Sequence, residues 1–283
     1  MMKQRLIKDY ARGHKANDGA GVELVRVLGN HTAHKFDPFL MLDAFDSQNP
    51  KDYIAGFPMH PHRGIETFTY LIKGDIEHQD SLGNKGSIQD GGCQWMTAGR
   101  GIVHQEMPKA CPHLLGLQLW INLPQKDKMT EPKYGNITPD MVPEVKEDGA
   151  TIRVVAGEYK GIKGGMQGSY VDARFIDVKL APNSSWQMET KPGDTVFAYI
   201  FEGEVGFNNN GKMQPNKQAI LFEQGDFLNA VTGEQPAHFI VACGAPLKEP
   251  IAWGGPIVMN TKEEVERAFV QIRFGTFAGE QHY

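Results

Sequence analysis

The 283-residue chain sets 29 Lys and Arg against 34 Asp and Glu, a net charge of −5, and carries 40% hydrophobic residues with 32 Gly and 17 Pro. That length and apolar content fit one large or two medium packed domains and exclude a disordered chain, while the mildly acidic balance without a basic stripe excludes autonomous nucleic-acid binding. The Gly and Pro excess has no collagen period and no low-complexity tract, so it signals many turns between short elements.

In chain order, the first 19 residues contain no apolar stretch of signal-peptide length, and no run anywhere approaches the ~20 residues that span a bilayer. A cytoplasmic chain without membrane association is expected. Three widely spaced cysteines, Cys93, Cys111 and Cys243, read as reduced thiols rather than a disulfide framework. Runs rich in β-branched and aromatic residues recur at Val22–Leu28, Glu66–Ile72, Leu115–Ile121, Thr151–Ala156, Phe175–Leu180, Thr195–Phe201 and Phe239–Ala242. Turn signals such as Leu82-Gly83-Asn84, Asp90-Gly91-Gly92, Lys191-Pro192-Gly193-Asp194 and Asn208–Gly211 separate them. The most apolar run, Leu114 to Leu123, is broken only by Gln118 and Asn122 among strongly polar residues. No long helical period alternates with the strands, which disfavours a parallel sheet and favours a sandwich or barrel.

Tyr70–Ile76 and Tyr199–Val205 match as strand, glycine turn and acidic residue, at an offset of 129 residues. The expected fold is therefore all-β, with two related β-barrel domains in tandem. Pro124, Pro132, Pro139 and Pro143 discourage regular structure around a linker at 126–150, which divides a first domain, 1–125, from a second, 151–283. A terminal helix is expected over 261–273. Thr261 and Glu264 have capping-box spacing, Val265, Ala268, Phe269 and Ile272 form an apolar stripe, and Gly275 offers a stop.

The chemistry-bearing residues lie in the first domain. His60 and His62 sit in Phe57–Gly64, and His104 and Glu106 sit in Gly99–Pro108. Residues i and i+2 of a strand share a face, so two neighbouring strands can aim all four side chains into one interior. Three imidazoles and a carboxylate suit a first-row transition metal such as Fe(II) and leave coordination positions open. The absence of thiolates argues against a closed structural zinc site. Pro61, between the first two candidate ligands, is unusual in a central strand and marks an edge or bent segment. His14, His31, His34, His113, His238 and His282 read as surface or core-edge residues, and so does His78 beside the Gly74 turn. At the repeat offset His60, His62 and His104 map to Glu189, Lys191 and Gly233, so the second domain is expected to be metal-free.

His60-x-His62-x3-Glu66, then Gly101-x-x-His104, resembles the paired motifs of the cupin superfamily. The strings Asp37–Leu40, Phe57–Gly64, Gln94–Gly101, Val103–Pro108 and Gly255–Thr261 are similar to those of the pirin family, over nearly the whole chain. The resemblance implies two cupin-type jelly-roll barrels with a C-terminal helix. It also implies iron held by His60, His62, His104 and Glu106, and quercetin 2,3-dioxygenase activity on a flavonol with O2 and CO release. Fe(II) is the expected metal, with Mn, Ni, Co, Cu or Zn as alternatives for the same donor set. Glu106 would detach and serve as catalytic base, Glu66 would stay outside the metal set, and Arg63 would either stabilise developing negative charge or pair with Glu66. Trp95 and Met96 would line the pocket or pack the core. The alternative function is an iron-dependent, redox-sensing binding partner of transcription factors or metabolic enzymes, with no dedicated substrate.

Overall fold

The computed structural model describes residues 2–168, 170–207 and 211–278; His282 and the turn residues Asn208–Asn210 lie outside the described residues. Its contacts separate two compact units. One comprises Lys15–Arg26, Phe39–Pro139 and the chain from Leu247 onward, and holds all four candidate ligands. The other comprises the chain up to His14, Val27–Pro38 and Asp140–Pro246. This division differs at both ends from the expected contiguous domains at 1–125 and 151–283, because each barrel takes in a segment from the far terminus.

The histidine-bearing unit is built on a seven-stranded antiparallel sheet in the order Lys133–Ile137, Cys93–Thr97, Ile65–Lys73, Leu114–Asn122, Phe39–Ser47, Val22–Leu28 and His14–Asp18. A four-stranded sheet, Phe57–His62, Ile102–Pro108, Ile76–Asp80 and Lys85–Ile88, completes it. Leu114–Asn122 is buried at every position and central in its sheet, which explains its near-continuous apolar sequence. Phe57–His62 is an edge strand, with a register shift in its pairing between His104 and Glu106, so Pro61 forfeits no central ladder bond. The helix Lys262–Arg273 belongs to this unit and packs on the hairpin Ala252–Gly254/Ile257–Met259. Its capping box forms as expected, Thr261 Oγ1 accepting from the Glu264 amide at 3.2 Å and Glu264 Oε2 from the Thr261 amide at 3.0 Å. Of the expected stripe Val265 and Ala268 are buried, whereas Phe269 is 40% exposed.

The second unit repeats the first strand for strand. Its seven-stranded sheet runs Ile7–Arg12, Gln218–Phe222, Thr195–Glu202, Ala237–Gly244, Arg174–Leu180, Ala150–Ala156 and Glu144–Glu147. Its smaller sheet runs Ser185–Glu189, Phe227–Val231, Val205–Gly206 and Met213–Gln214. The repeat glycines Gly74 and Gly203 both take positive φ, 127° and 75°, a region that favours a residue without Cβ. The two barrels fill the first position of the large sheet from opposite directions in the chain. One uses Lys133–Ile137, from the segment expected to be an irregular linker, and the other uses the N-terminal Ile7–Arg12. The rest of that segment supplies the edge strand Glu144–Glu147, so the prolines sit between strands instead of dissolving them.

Register sharpens the comparison of the two interiors. His104 lies opposite His60 in the first barrel, and Leu228 lies opposite Met188 in the second. The strand positions of His60, His62, His104 and Glu106 are thus taken by Met188, Thr190, Leu228 and Ala230, correcting the gapless mapping onto Glu189, Lys191 and Gly233. Met188, Leu228 and Ala230 join a buried apolar cluster with Trp186, Phe207 and Phe239. The second interior is a packed core at the positions where the first carries imidazoles.

Candidate metal centre

The i, i+2 alternation of Phe57–His62 and Ile102–Pro108 turns His60, His62, His104 and Glu106 toward the barrel interior. The three imidazoles converge: each offers a ring nitrogen, and these nitrogens lie within 4.8 Å of one another. Ring centroids are 4.8 Å apart for His60 and His62, 4.4 Å for His60 and His104, and 5.0 Å for His62 and His104. His60 Nδ1 lies 2.9 Å from the Pro58 carbonyl, which only accepts, so Nδ1 donates there and Nε2 is the ring nitrogen left for the group.

His62 and His104 are almost completely buried, and neither ring nitrogen of either residue has a hydrogen-bond partner. Burial first, and then the neighbouring imidazoles, holds both well below the ordinary histidine pKa. Two neutral rings with four unsatisfied nitrogens are costly as packing, about 1–3 kcal/mol for each orphaned polar group, and are the state a metal needs from its ligands. The donor set therefore fits a metal ion.

Glu106 stands apart from that cluster. Its carboxylate is not among the atoms brought within 4.8 Å. Both its oxygens are engaged by the facing sheet: Oε1 accepts from Thr69 Oγ1 at 3.0 Å, and Oε2 from Gln118 Nε2 at 2.7 Å. Gln118 Oε1 in turn accepts from Trp120 Nε1 at 3.2 Å, and the Trp120 ring meets His62 edge to face. Neither Thr69, Gln118 nor Trp120 stood out in the sequence, although the polar break at Gln118 in an apolar strand was the available signal.

The other candidates separate by sheet face. Glu66 alternates with Thr67 and Thr69, so it points away from the site. It accepts from Thr97 Oγ1 at 2.7 Å, and burial raises its pKa. Met96, paired with Thr67, shares the site-facing side, whereas Trp95, paired with Phe68, packs against that ring on the opposite face. Arg63 reaches neither the site nor Glu66. Its Nε donates to the Arg100 carbonyl at 2.5 Å, Nη1 to Gln271 Oε1 at 2.6 Å and Nη2 to the Phe277 carbonyl at 3.0 Å.

His78 is not a surface residue. It is buried opposite Glu106 in the ladder and hydrogen-bonded to the Tyr134 hydroxyl. His14, His31 and His34 are exposed, His113 pairs with Asp46 at 2.9 Å, and His238 is buried against Asp177 at 2.5 Å. No helix among the described residues is long and apolar enough to cross a membrane.

Comparison with known proteins matches the same frame. The pirin family matches residues 21–121, and the pirin C-terminal cupin domain matches residues 175–278. A Pseudomonas aeruginosa protein provisionally named quercetin 2,3-dioxygenase is 40% identical over 286 residues, covering 98% of this chain and all of that protein. Human pirin is 38% identical over 263 residues, covering 91% of this chain and 88% of its own. The crystal structure of a quercetin 2,3-dioxygenase from Acinetobacter baumannii superposes with a TM-score of 0.88 at 31% identity, covering 98% of this chain and 99% of that one. With both cupin halves matched and relatives aligned over almost its full length, the chain belongs to the pirin family.

Proposed function

We propose that the chain is a metal-dependent dioxygenase that opens the heterocycle of a flavonol such as quercetin with O2 and releases CO, with His60, His62, His104 and Glu106 as its metal set and Fe(II) as its metal. The observation that carries this reading is a group of three converging imidazoles with a buried carboxylate beside it that has hydrogen-bond donors of its own, a set that leaves coordination positions for substrate and puts an acid-base group next to them. Relatives named as quercetin 2,3-dioxygenases support the substrate class.

His60, His62 and His104 would hold the metal as neutral nitrogen donors. When bound, a divalent ion supplies positive charge that makes the flavonol 3-hydroxyl more acidic and an open position for reaction with O2. Glu106 takes the 3-hydroxyl proton on a carboxylate oxygen. Thr69 and Gln118 keep that carboxylate oriented, and Trp120, donating to Gln118, fixes the direction of the amide. Trp120 and Met96 give the site-facing wall an apolar character suited to a flat aromatic substrate.

Incubating the metal-loaded protein with quercetin in air tests the assignment: loss of quercetin absorbance with evolution of CO is expected. Absence of turnover with Fe, Mn, Ni, Co and Cu would overturn it.

A further inference from the structure

We infer that Thr69 and Gln118 form a cradle that holds the Glu106 carboxylate off the three-histidine group, so that Glu106 alternates between this cradle and the metal. The catalytic consequence rests on the dioxygenase reading; the cradle itself does not.

Glu106 is 2% exposed, yet each of its oxygens has a donor, from Thr69 Oγ1 and Gln118 Nε2. The donors come from two adjacent strands of the sheet facing the histidines, Ile65–Lys73 and Leu114–Asn122, which pair Thr69 directly with Gln118. Their orientation is determined. Gln118 Oε1 accepts from the Trp120 indole, so Nε2 must face the carboxylate, and Nε2 also donates to Thr69 Oγ1 at 3.2 Å. Thr69, with its oxygen accepting from Gln118, turns its hydroxyl hydrogen to Glu106. All these groups serve one anion, while the nearby nitrogens of His62 and His104 have no partner. Moving a Glu106 oxygen onto a bound metal would cost at least one of these two hydrogen bonds to a carboxylate, bonds of the strong class. The cradle therefore weakens the fourth ligand and fixes where the carboxylate rests beside the histidines, which makes Thr69 and Gln118 positioning residues.

The test is Co(II) affinity of the full chain, measured by competition with a chelator, together with the visible Co(II) spectrum, which reports coordination number. Gln118→Met, which keeps length but removes the donor, is expected to bind Co(II) about tenfold more tightly, the weight of one hydrogen bond to a charged group. Its visible band should weaken as Glu106 adds to the coordination sphere. The Gln118→Met/Glu106→Ala double variant should lose that gain, and Thr69→Val should reproduce it at smaller size. Quercetin turnover by Gln118→Met should fall in kcat more than in KM. Unchanged or weaker Co(II) binding by both Gln118→Met and Thr69→Val, each folded by circular dichroism, overturns the cradle. Tighter binding in these variants, with no quercetin turnover by the unsubstituted protein, supports the cradle and overturns the dioxygenase reading instead.

Discussion

The indole of Trp120 meets the imidazole of His62 edge to face, with centroids 5.1 Å apart and planes at 86°, and the same indole donates to Gln118 at 3.2 Å. One side chain thus braces a candidate ligand and the amide that holds Glu106. Trp120→Phe keeps a ring against His62 but leaves Gln118 Oε1 without that donor. It should cost about 1–3 kcal/mol, the usual weight of an orphaned buried acceptor. Trp120→Ala should cost about 3–5 kcal/mol, because it also opens a cavity. Urea midpoints at unchanged slope measure both.

The two barrels make opposite predictions at equivalent positions. Leu228 is fully buried in the second core, so Leu228→Ala should cost about 2–5 kcal/mol in stability and leave metal content untouched. His104→Ala removes one of three converging nitrogens together with two unsatisfied buried atoms. It should abolish stoichiometric metal uptake while lowering metal-free stability by much less than Leu228→Ala does. Metal analysis alongside thermal melts of the two variants separates the outcomes.

The convergence of His60, His62 and His104 was legible because strand alternation is local: i and i+2 share a face whatever the partners are. The capping box at Thr261 was legible for the same reason. The support of Glu106 was not, since Thr69 and Gln118 reach it only through cross-strand pairing that sequence spacing does not encode. Gln118 and Asn122, the two polar breaks in the most apolar strand, are in fact its two anchors, one to Glu106 and one to Lys128. The repeat at Gly74 and Gly203 revealed two barrels but not their edges. The pairing of Ile7–Arg12 with Gln218–Phe222 is a contact between distant parts of the chain that no local signal announces. His78 was misjudged because a turn-proximal histidine beside acidic residues looks solvated until its ladder position opposite Glu106 is known.

Arg63 is 4% exposed, donates to three neutral acceptors and lies with its guanidinium carbon 4.3 Å from the Phe277 ring centroid. Burial, and then Arg100, lowers its pKa to about 10. It therefore acts as a clasp on the C-terminal segment, through Gln271 and Phe277, although it neighbours His62 in sequence. Arg63→Met should cost at least about 2 kcal/mol from the lost charge-assisted bonds and should speed tryptic cleavage at the exposed Arg267 and Arg273. Metal stoichiometry should stay the same. Loss of metal with an unaltered proteolysis rate would show instead that Arg63 serves the site.

Lys128 gives the chain a measurable pH signature. Its ammonium is 1% exposed and donates to the Gly64 carbonyl at 2.8 Å, Asn122 Oδ1 at 2.6 Å and the Val258 carbonyl at 2.8 Å. None of these acceptors is charged, and burial lowers its pKa from 10.5 to about 7, against weaker opposing pulls from Glu249 and Glu264. Between pH 7 and 10.5 the unfolded chain binds a proton at this lysine that the folded chain has released, so the Lys128 contribution to stability rises with pH across that window and is flat below it. The slope approaches about 1.4 kcal/mol per pH unit at its steepest. Lys128→Met removes the titration and leaves three acceptors unpaired. The variant should therefore be less stable at pH 9 and above, with the gap to the unsubstituted protein narrowing as pH falls from 10 toward 7. Urea midpoints of both proteins at unit pH steps measure the difference, and a gap that stays constant over that range would show that Lys128 remains charged in the folded chain.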